Sequence, residues 1–410
     1  MSTNITQPKT QSTPKLRFTE FSSGWEKKKM GEITKINQGL QIPISQRFLK
    51  KVDNSYFYIT NEFLKENSQN EYYIKNPSQS VLCNKDDILM TRTGNTGHVV
   101  TNVSGAFHNN FFKIKYDKKL IEKDFLYYFL ILPKTKNIIL RLAGSSTIPD
   151  LNHGDFYRVK IDFPSLSEQQ KIASFLGSVD EWILNLKKQK ESLESYKKGM
   201  MQKIFSQETR FPGFSEKWEE KKLGNVGKIY NGLSGKNGED FGDGEPFITY
   251  KQIFDKSEID VQKFSLVNVG AGEKQNKAQF GDVFFTTSSE TPGEVGFASV
   301  LLNKNISPYL NSFSFGFRPN SIKELNPYFS KLFFRNSLFR KDVVKLAQGS
   351  TRYNISKVEF MKIKVFLPSA QEQQKIADFL TSVDNLIELK EKQITQAENW
   401  KKGLMQGLFV

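Results

Sequence analysis

The sequence predicts two heads of mixed α/β (α+β) class joined by two long helices that pair as an antiparallel coiled coil with pseudo-twofold symmetry. Three observations predict this. The 410-residue chain repeats itself, each repeat closes on a heptad-patterned segment, and short strand-like stretches with polar turns fill the remainder.

The repeat comes first, because an internal period decides the architecture. Residues 164–205 and 368–409 align without a gap at an offset of 204, with 23 of 42 positions identical. Earlier in each half, RFTEFSSGWEKKKMGEITKINQGL from Arg17 faces RFPGFSEKWEEKKLGNVGKIYNGL from Arg210 at an offset of 193. Residues 142–147 face residues 346–351. The middles, about 45–140 and 238–345, differ in sequence and by 11 residues in length. A common frame thus holds two different inserts, as an element that must read two different things would. The chain divides into a polar tail (1–14, expected to be disordered), a first head (15–163), a first helical segment (164–207), a second head (208–367) and a second helical segment (368–410).

Each helical segment opens with Pro and an S-x-x-E capping box, Ser165 with Glu168 and Ser369 with Glu372. Apolar residues then recur at alternating spacings of four and three. Ile172, Leu176, Val179 and Ile183 begin the first seam, and Ile376, Leu380, Val383 and Ile387 the second. A period of 3.5 over about five heptads argues for a coiled coil. A helix of roughly 38 residues spans about 57 Å. Helix one runs almost directly into head two, so a paired helix two must run back, and the pair is expected to be antiparallel. The segments 164–206 and 368–410 carry +2 and −1, so nearly all of the net +15 lies outside them. They suit a spacer, and the heads suit a polyanion binder.

In the heads, residues 56–60 and 246–250 read as equivalent strands, as do 87–94 and 282–288. Helices are expected near 125–132 and 327–334. Polar loops at strand ends are where base contacts would sit. In head one the candidates are Asn37, Gln38, Arg92, Thr93, Asn95, Ser145, Ser146 and Thr147. In head two they are Asn231, Ser234, Lys236, Lys251, Thr287, Ser288, Ser350, Thr351, Arg352, Tyr353 and Asn354. Arg and Lys pair with guanine acceptors, Asn and Gln with adenine, and hydroxyls with either. Lys, Ser and Thr also hold phosphates. Trp25 and Trp218 are expected to be core anchors.

Other chemistries find no support. No run of about 18 apolar residues suggests a membrane span, and the polar N-terminus does not read as a secretory signal. Cys83 is the single cysteine, and His98, His108 and His153 lack metal-ligand spacing. A cytoplasmic setting is expected. No phosphate-binding loop, no methyltransferase N-P-P-[YF] or D-P-P-Y site and no His–carboxylate pair occurs. Pro149-Asp150 lacks the E-x-K partner of a nuclease motif. The sequence reads as a non-catalytic binder. A DNA-binding scaffold without sequence preference is the alternative.

The two R-F-x-x-F-x-x-x-W openings and the two P-S-x-x-E-Q-Q-K-I-A-x-F-L-x-S-V-D segments, each followed by K-K-G-x-M-Q-x-x-F, closely resemble the specificity (S) subunit of type I restriction–modification systems. The resemblance spans nearly the full chain. It implies two target-recognition domains and two conserved helical regions, with each domain reading half of a bipartite double-stranded DNA target. It also implies two modification subunits that methylate adenine using S-adenosylmethionine, and restriction subunits that cleave with ATP and Mg. On this resemblance those cofactors belong to the partners and none to this chain.

Overall fold

The computed structural model describes residues 13–410 except 66, 67, 69 and 145. Most of the expected disordered tail, 1–14, and the candidate Ser145 therefore lie outside the described residues. The chain forms two compact units. Unit one runs to Lys187 and adds Lys392–Val410; unit two is Lys188–Glu391. The division falls inside both long helices, Leu166–Phe205 and Ala370–Leu408.

In unit one, strand Glu26–Lys29 pairs antiparallel with Lys160–Phe163 and ties the two ends of the head together. The main sheet has the order Thr34–Gln38, Phe111–Tyr116, Ile88–Thr91, Val99–Val100. A second sheet carries Tyr73–Lys75, Ser55–Ile59, Gly105–Phe107 and Leu82–Cys83, with a parallel pairing in its middle. Helix Lys123–Ile131 buries Phe125, Leu126, Tyr128, Phe129 and Leu130.

Unit two repeats this plan. Its main sheet is Gly227–Asn231, Ser314–Pro319, Val283–Thr286, Ala298–Val300, and Phe241–Ile248 pairs parallel with Tyr309–Leu310. It adds a small sheet in which Ser288–Ser289 joins the hairpin of Ala347–Gln348 and Tyr353–Ile355.

One expected equivalence shifts by a residue. The parallel pairings place Ile59 opposite Phe107 and Ile248 opposite Leu310, so Ile59-Thr60 matches Ile248-Thr249. The strand ends at Ile248, because Thr249 caps helix Tyr250–Asp255 by accepting from Gln252 N. Tyr250 and Lys251 are therefore helical, where the sequence suggested a strand and its exit.

Each head's core is completed by the start of one long helix and the end of the other. In unit one Ile172, Ala173 and Leu176 share a core with Trp25, Met405, Leu408 and Phe409, and Phe409 stacks on Phe125 at 5.0 Å. In unit two Ile204 and Phe205 join Trp218, Phe329, Ile376 and Leu380. Beyond the heads, Val179, Ile183 and Leu186 pack on Ile394 and Ala397 within unit one. Rising numbers on one helix meet falling numbers on the other, as Asp180–Lys401 (2.5 Å) and Lys187–Glu398 (2.6 Å) show, so the pair is antiparallel. Unit two shows the same sense, with Lys197–Asp384 at 2.5 Å and Lys190 on Glu391. Lys197 and Lys401 are polar positions in the heptads. Each meets the aspartate of the other copy's S-V-D motif.

The capping boxes form by half. Ser165 Oγ and Ser369 Oγ accept from the backbone N of Glu168 (3.4 Å) and Glu372 (3.3 Å). The glutamate carboxylates do not complete the box. Glu168 accepts instead from Arg17 and Trp25, and Glu372 from Arg210 and Trp218. A fork of guanidinium donors outcompetes one backbone N–H for a buried carboxylate. The next residues, Gln169 and Gln373, bond Pro164 O and Pro368 O and accept from the backbone N of Glu122 and Asn326.

Candidate nucleic-acid interface

In unit one, strands Thr34–Gln38 and Ile88–Thr91 both run antiparallel to Phe111–Tyr116. They therefore end together, at the edge where that strand begins. The edge gathers Gln38, Arg92 and the turn 108–110. Gln38 Oε1 lies 2.9 Å from His153 Nε2 and 3.5 Å from Arg92 Nη1, and Gln38 Nε2 donates to Asn109 O. Arg92 makes a two-pronged pair with Asp150, Nε–Oδ1 at 2.9 Å and Nη2–Oδ2 at 2.5 Å. This geometry holds the guanidinium as a flat fork at the rim, the shape that reads a guanine edge. Burial, and secondarily Arg92, lowers the pKa of His153, which keeps the ring neutral beside the arginine.

Other candidates in unit one are placed variously. Asn37 is half-buried opposite Lys113 in the ladder. Thr93 is half-buried, and its carbonyl accepts from Asn61 Nδ2 at 3.2 Å. Asn95 is exposed with φ 71°, a left-handed turn position that Asn tolerates. Ser146 and Thr147 are exposed, and Ser146 Oγ donates to Ile148 O at 2.8 Å.

The same edge in unit two brings together Asn231, Thr287 and the turn 311–313. Asn231 Oδ1 accepts from Lys357 Nζ at 2.5 Å. Thr287 N donates to Phe313 O at 3.1 Å, and Thr287 O accepts from Ile355 N at 3.0 Å. Ser288 is buried in a ladder opposite Asn354. Ser350, Thr351 and Arg352 lie exposed on the turn of the added hairpin; Tyr353 is half-buried and Asn354 exposed. Ser234 and Lys236 belong instead to a loop fastened to residues 273–275. Ser234 exchanges backbone bonds with the Gln275 side chain, and Lys236 Nζ sits 2.6 Å from Glu273 Oε1. Lys251 is 86% exposed, 3.7 Å from Asp255.

The matched glycines of N-Q-G-L and Y-N-G-L are explained at this edge. A β-carbon on Gly39 would stand 2.6 Å from His108 C, and one on Gly232 would stand 2.7 Å from Asn311 C. The following residues bond across, Leu40 N to Phe107 O at 3.1 Å and Leu233 N to Leu310 O at 2.7 Å. Both units therefore share the same glycine approach and the same backbone bonds at this edge.

Sequence reasoning missed Asp150 and His153 as partners of Arg92 and Gln38, and it missed Lys357 and Phe313. The sequence holds no signal for the first three, since each meets its partner over 58 to 126 residues. Phe313 could have been found by aligning H-N-N-F with N-S-F-S. Cys83 is buried, and burial pushes its thiol up to about 11, which makes it a poor nucleophile. Among the described residues no helix is long and apolar enough to cross a membrane, and no cluster of three His, Cys, Asp or Glu could hold a metal ion.

Comparison with known proteins bears on the fold and the family. Residues 22–195 and 215–399 match the family model of the type I restriction modification DNA specificity domain. The chain is 26% identical to the type I restriction enzyme MjaVIII specificity subunit of Methanocaldococcus jannaschii, over 94% of this chain and 92% of that one. It is 28% identical to the putative MjaX specificity subunit of the same organism, over 73% and 70%. Its fold is similar to the solved type I restriction-modification S subunit from M. genitalium, with TM-score 0.56, 18% identity and coverage of 97% and 99%. With both repeats matched and nearly the whole length aligned, the chain belongs to the family of type I restriction–modification specificity subunits.

Proposed function

We propose that the two sheet edges are DNA-reading surfaces, each taking one half of a bipartite target, and that the paired long helices set the gap between the halves. One observation carries this reading: both units hold the same backbone edge but present different groups on it. Unit one offers Gln38, Arg92 and Asn110 where unit two offers Asn231, Thr287 and Phe313. Direct readout needs that combination, a constant frame and variable donors and acceptors. Unit one carries 29 basic and 19 acidic residues, and unit two 30 and 25. Both are therefore net basic, which supplies salt-dependent affinity for the phosphate backbone.

The long helices present a further matched pair of positions. In unit one Trp182 and Trp400 stand about half exposed, in edge contact at 6.2 Å. Their counterparts in unit two are Leu386 and Tyr196, equally exposed. Two copies of one apolar docking patch would seat two modification subunits. Those subunits would bring S-adenosylmethionine for adenine methylation, and restriction subunits would bring ATP and Mg for cleavage. This chain would be non-catalytic and act in the cytoplasm.

Methylome sequencing of cells carrying the intact system tests the reading. The expected result is a split, adenine-methylated motif. Exchanging residues 45–140 for those of a relative should change one half of it. Deleting one heptad from each long helix should shorten the gap or abolish binding, since two helical turns span about 10.5 Å, roughly three base-pair steps. Methylation with no consensus motif would favour a scaffold with no sequence preference, and an unchanged gap would remove the ruler.

A further inference from the structure

A three-residue turn at the reading edge is fixed alike in both units. His108 N donates to Ile59 O at 2.9 Å, and Asn110 O accepts from Arg92 N at 2.7 Å. Asn311 N donates to Ile248 O at 3.0 Å, and Phe313 O accepts from Thr287 N at 3.1 Å. Asn110 and Phe313 thus hold the same place. The first is a half-buried amide; the second is a phenyl ring left 61% exposed.

A single exposed apolar side chain is ordinary on a protein surface. The mounting of Phe313 is not. Its N–H donates to Asn311 Oδ1 at 2.9 Å, and the buried Asn311 amide donates to Ile248 O and Ser314 Oγ, both at 3.1 Å. The backbone beneath the ring is therefore held from both sides, and the direction in which the Phe313 side chain leaves it is set before any ligand arrives. On one side lies Thr287. On the other is strand Gly227–Asn231, where Asn231 pairs with Phe315 in the ladder. Phe313 is an apolar contact point among polar ones.

The base edges a duplex displays in its major groove carry one apolar group, the 5-methyl of thymine, and Phe is among the side chains that meet it. We propose that Phe313 covers the 5-methyl group of a thymine in the half-site read by unit two, where Asn110 offers an amide to the half-site read by unit one. This rests on the reading of the two edges as DNA-facing.

The test uses the full chain with its modification subunits and the bipartite target defined by methylome sequencing. Each thymine in the unit-two half is replaced in turn by deoxyuridine, which removes only the methyl group. At one position binding should weaken about fourfold, the worth of one buried methyl. The same replacement should cost the exposed-site variant Phe313→Ala nothing. Three results overturn the proposal: a unit-two half-site without thymine, indifference to uridine at every position, or an equal loss in wild type and variant. A Phe313-dependent rise in 2-aminopurine fluorescence would also overturn it, by assigning the ring to unstacking a base step. Absence of any bipartite target would instead end the DNA-reading function itself, and this proposal with it.

Discussion

Arg17 donates from Nε and Nη2 to the two oxygens of Glu168, 151 residues later, at 2.8 Å each. Arg210 and Glu372 repeat the arrangement at 3.0 and 2.6 Å, 162 residues apart. In both units the tryptophan of the R-F-x-x-F-x-x-x-W opening adds a third donor. The opening of each head is thereby fastened to the first turn of the long helix that leaves it. The paired aromatic contacts Phe18–Phe175 and Phe211–Phe379 brace the same junction.

Glu168 is fully buried and Arg17 half-buried. Arg17→Ala leaves that carboxylate without its counter-charge, and the expected loss is about 3 kcal/mol of stability. Arg17→Lys should recover only part, because an ammonium cannot make the parallel pair. Urea unfolding of the full chain measures both. A loss below about 1 kcal/mol would mean that the pair behaves like an exposed surface bridge.

Gly39→Ala forces a β-carbon against the His108 carbonyl. A displacement of that turn should cost about 1–3 kcal/mol. It should also degrade recognition of the unit-one half-site while sparing the other. Binding assays with each half-site separately mutated would show this, and equal damage to both halves would contradict it.

Arg92→Ala should weaken binding to the intact target by roughly ten- to hundredfold, the value of one bidentate base contact. Arg92→Lys should fail to restore it while keeping the salt dependence. If the lysine variant binds as well as wild type, Arg92 contacts phosphate rather than a base.

Burial lowers the pKa of His98, His108 and His153. Their unfolded counterparts take up protons near pH 6.5, so below that the unfolded state binds more protons than the folded one. The stability they contribute is present above about pH 6.5 and is lost as pH falls through the unfolded and then the folded pKa values. Glu122, raised by burial, acts in the opposite sense but from a carboxylate's lower starting point. All three histidines lie in unit one. Hydrogen exchange at about pH 7.5 and 6.0 should therefore show unit one loosening first. Equal loosening of unit two would count against the histidines.

Much of the frame was legible in the chain. Ile172, Leu176, Val179 and Ile183 announced a buried helical stripe by spacing alone, and all four are buried, the first two in the core of the head and the last two against the other long helix. Ile376, Leu380 and Val383 follow them, with Ile387 half-buried. Trp25 and Trp218 are the buried anchors their matched positions suggested. Ser165-x-x-Glu168 was legible as a helix start but misleading as a capping box, since its carboxylate is taken by a residue that no local window contains.

By itself the sequence determined the duplication, the helical seams, the basic heads and the family. These are periodic, compositional or motif properties, and a linear chain carries them directly. The tertiary structure alone decided which rim residues meet. Arg92 finds Asp150, Asn231 finds Lys357, and Phe313 stands where the other unit has Asn110. Those pairings depend on strand register and on how a turn passes over a glycine, and neither leaves a repeating trace along the chain.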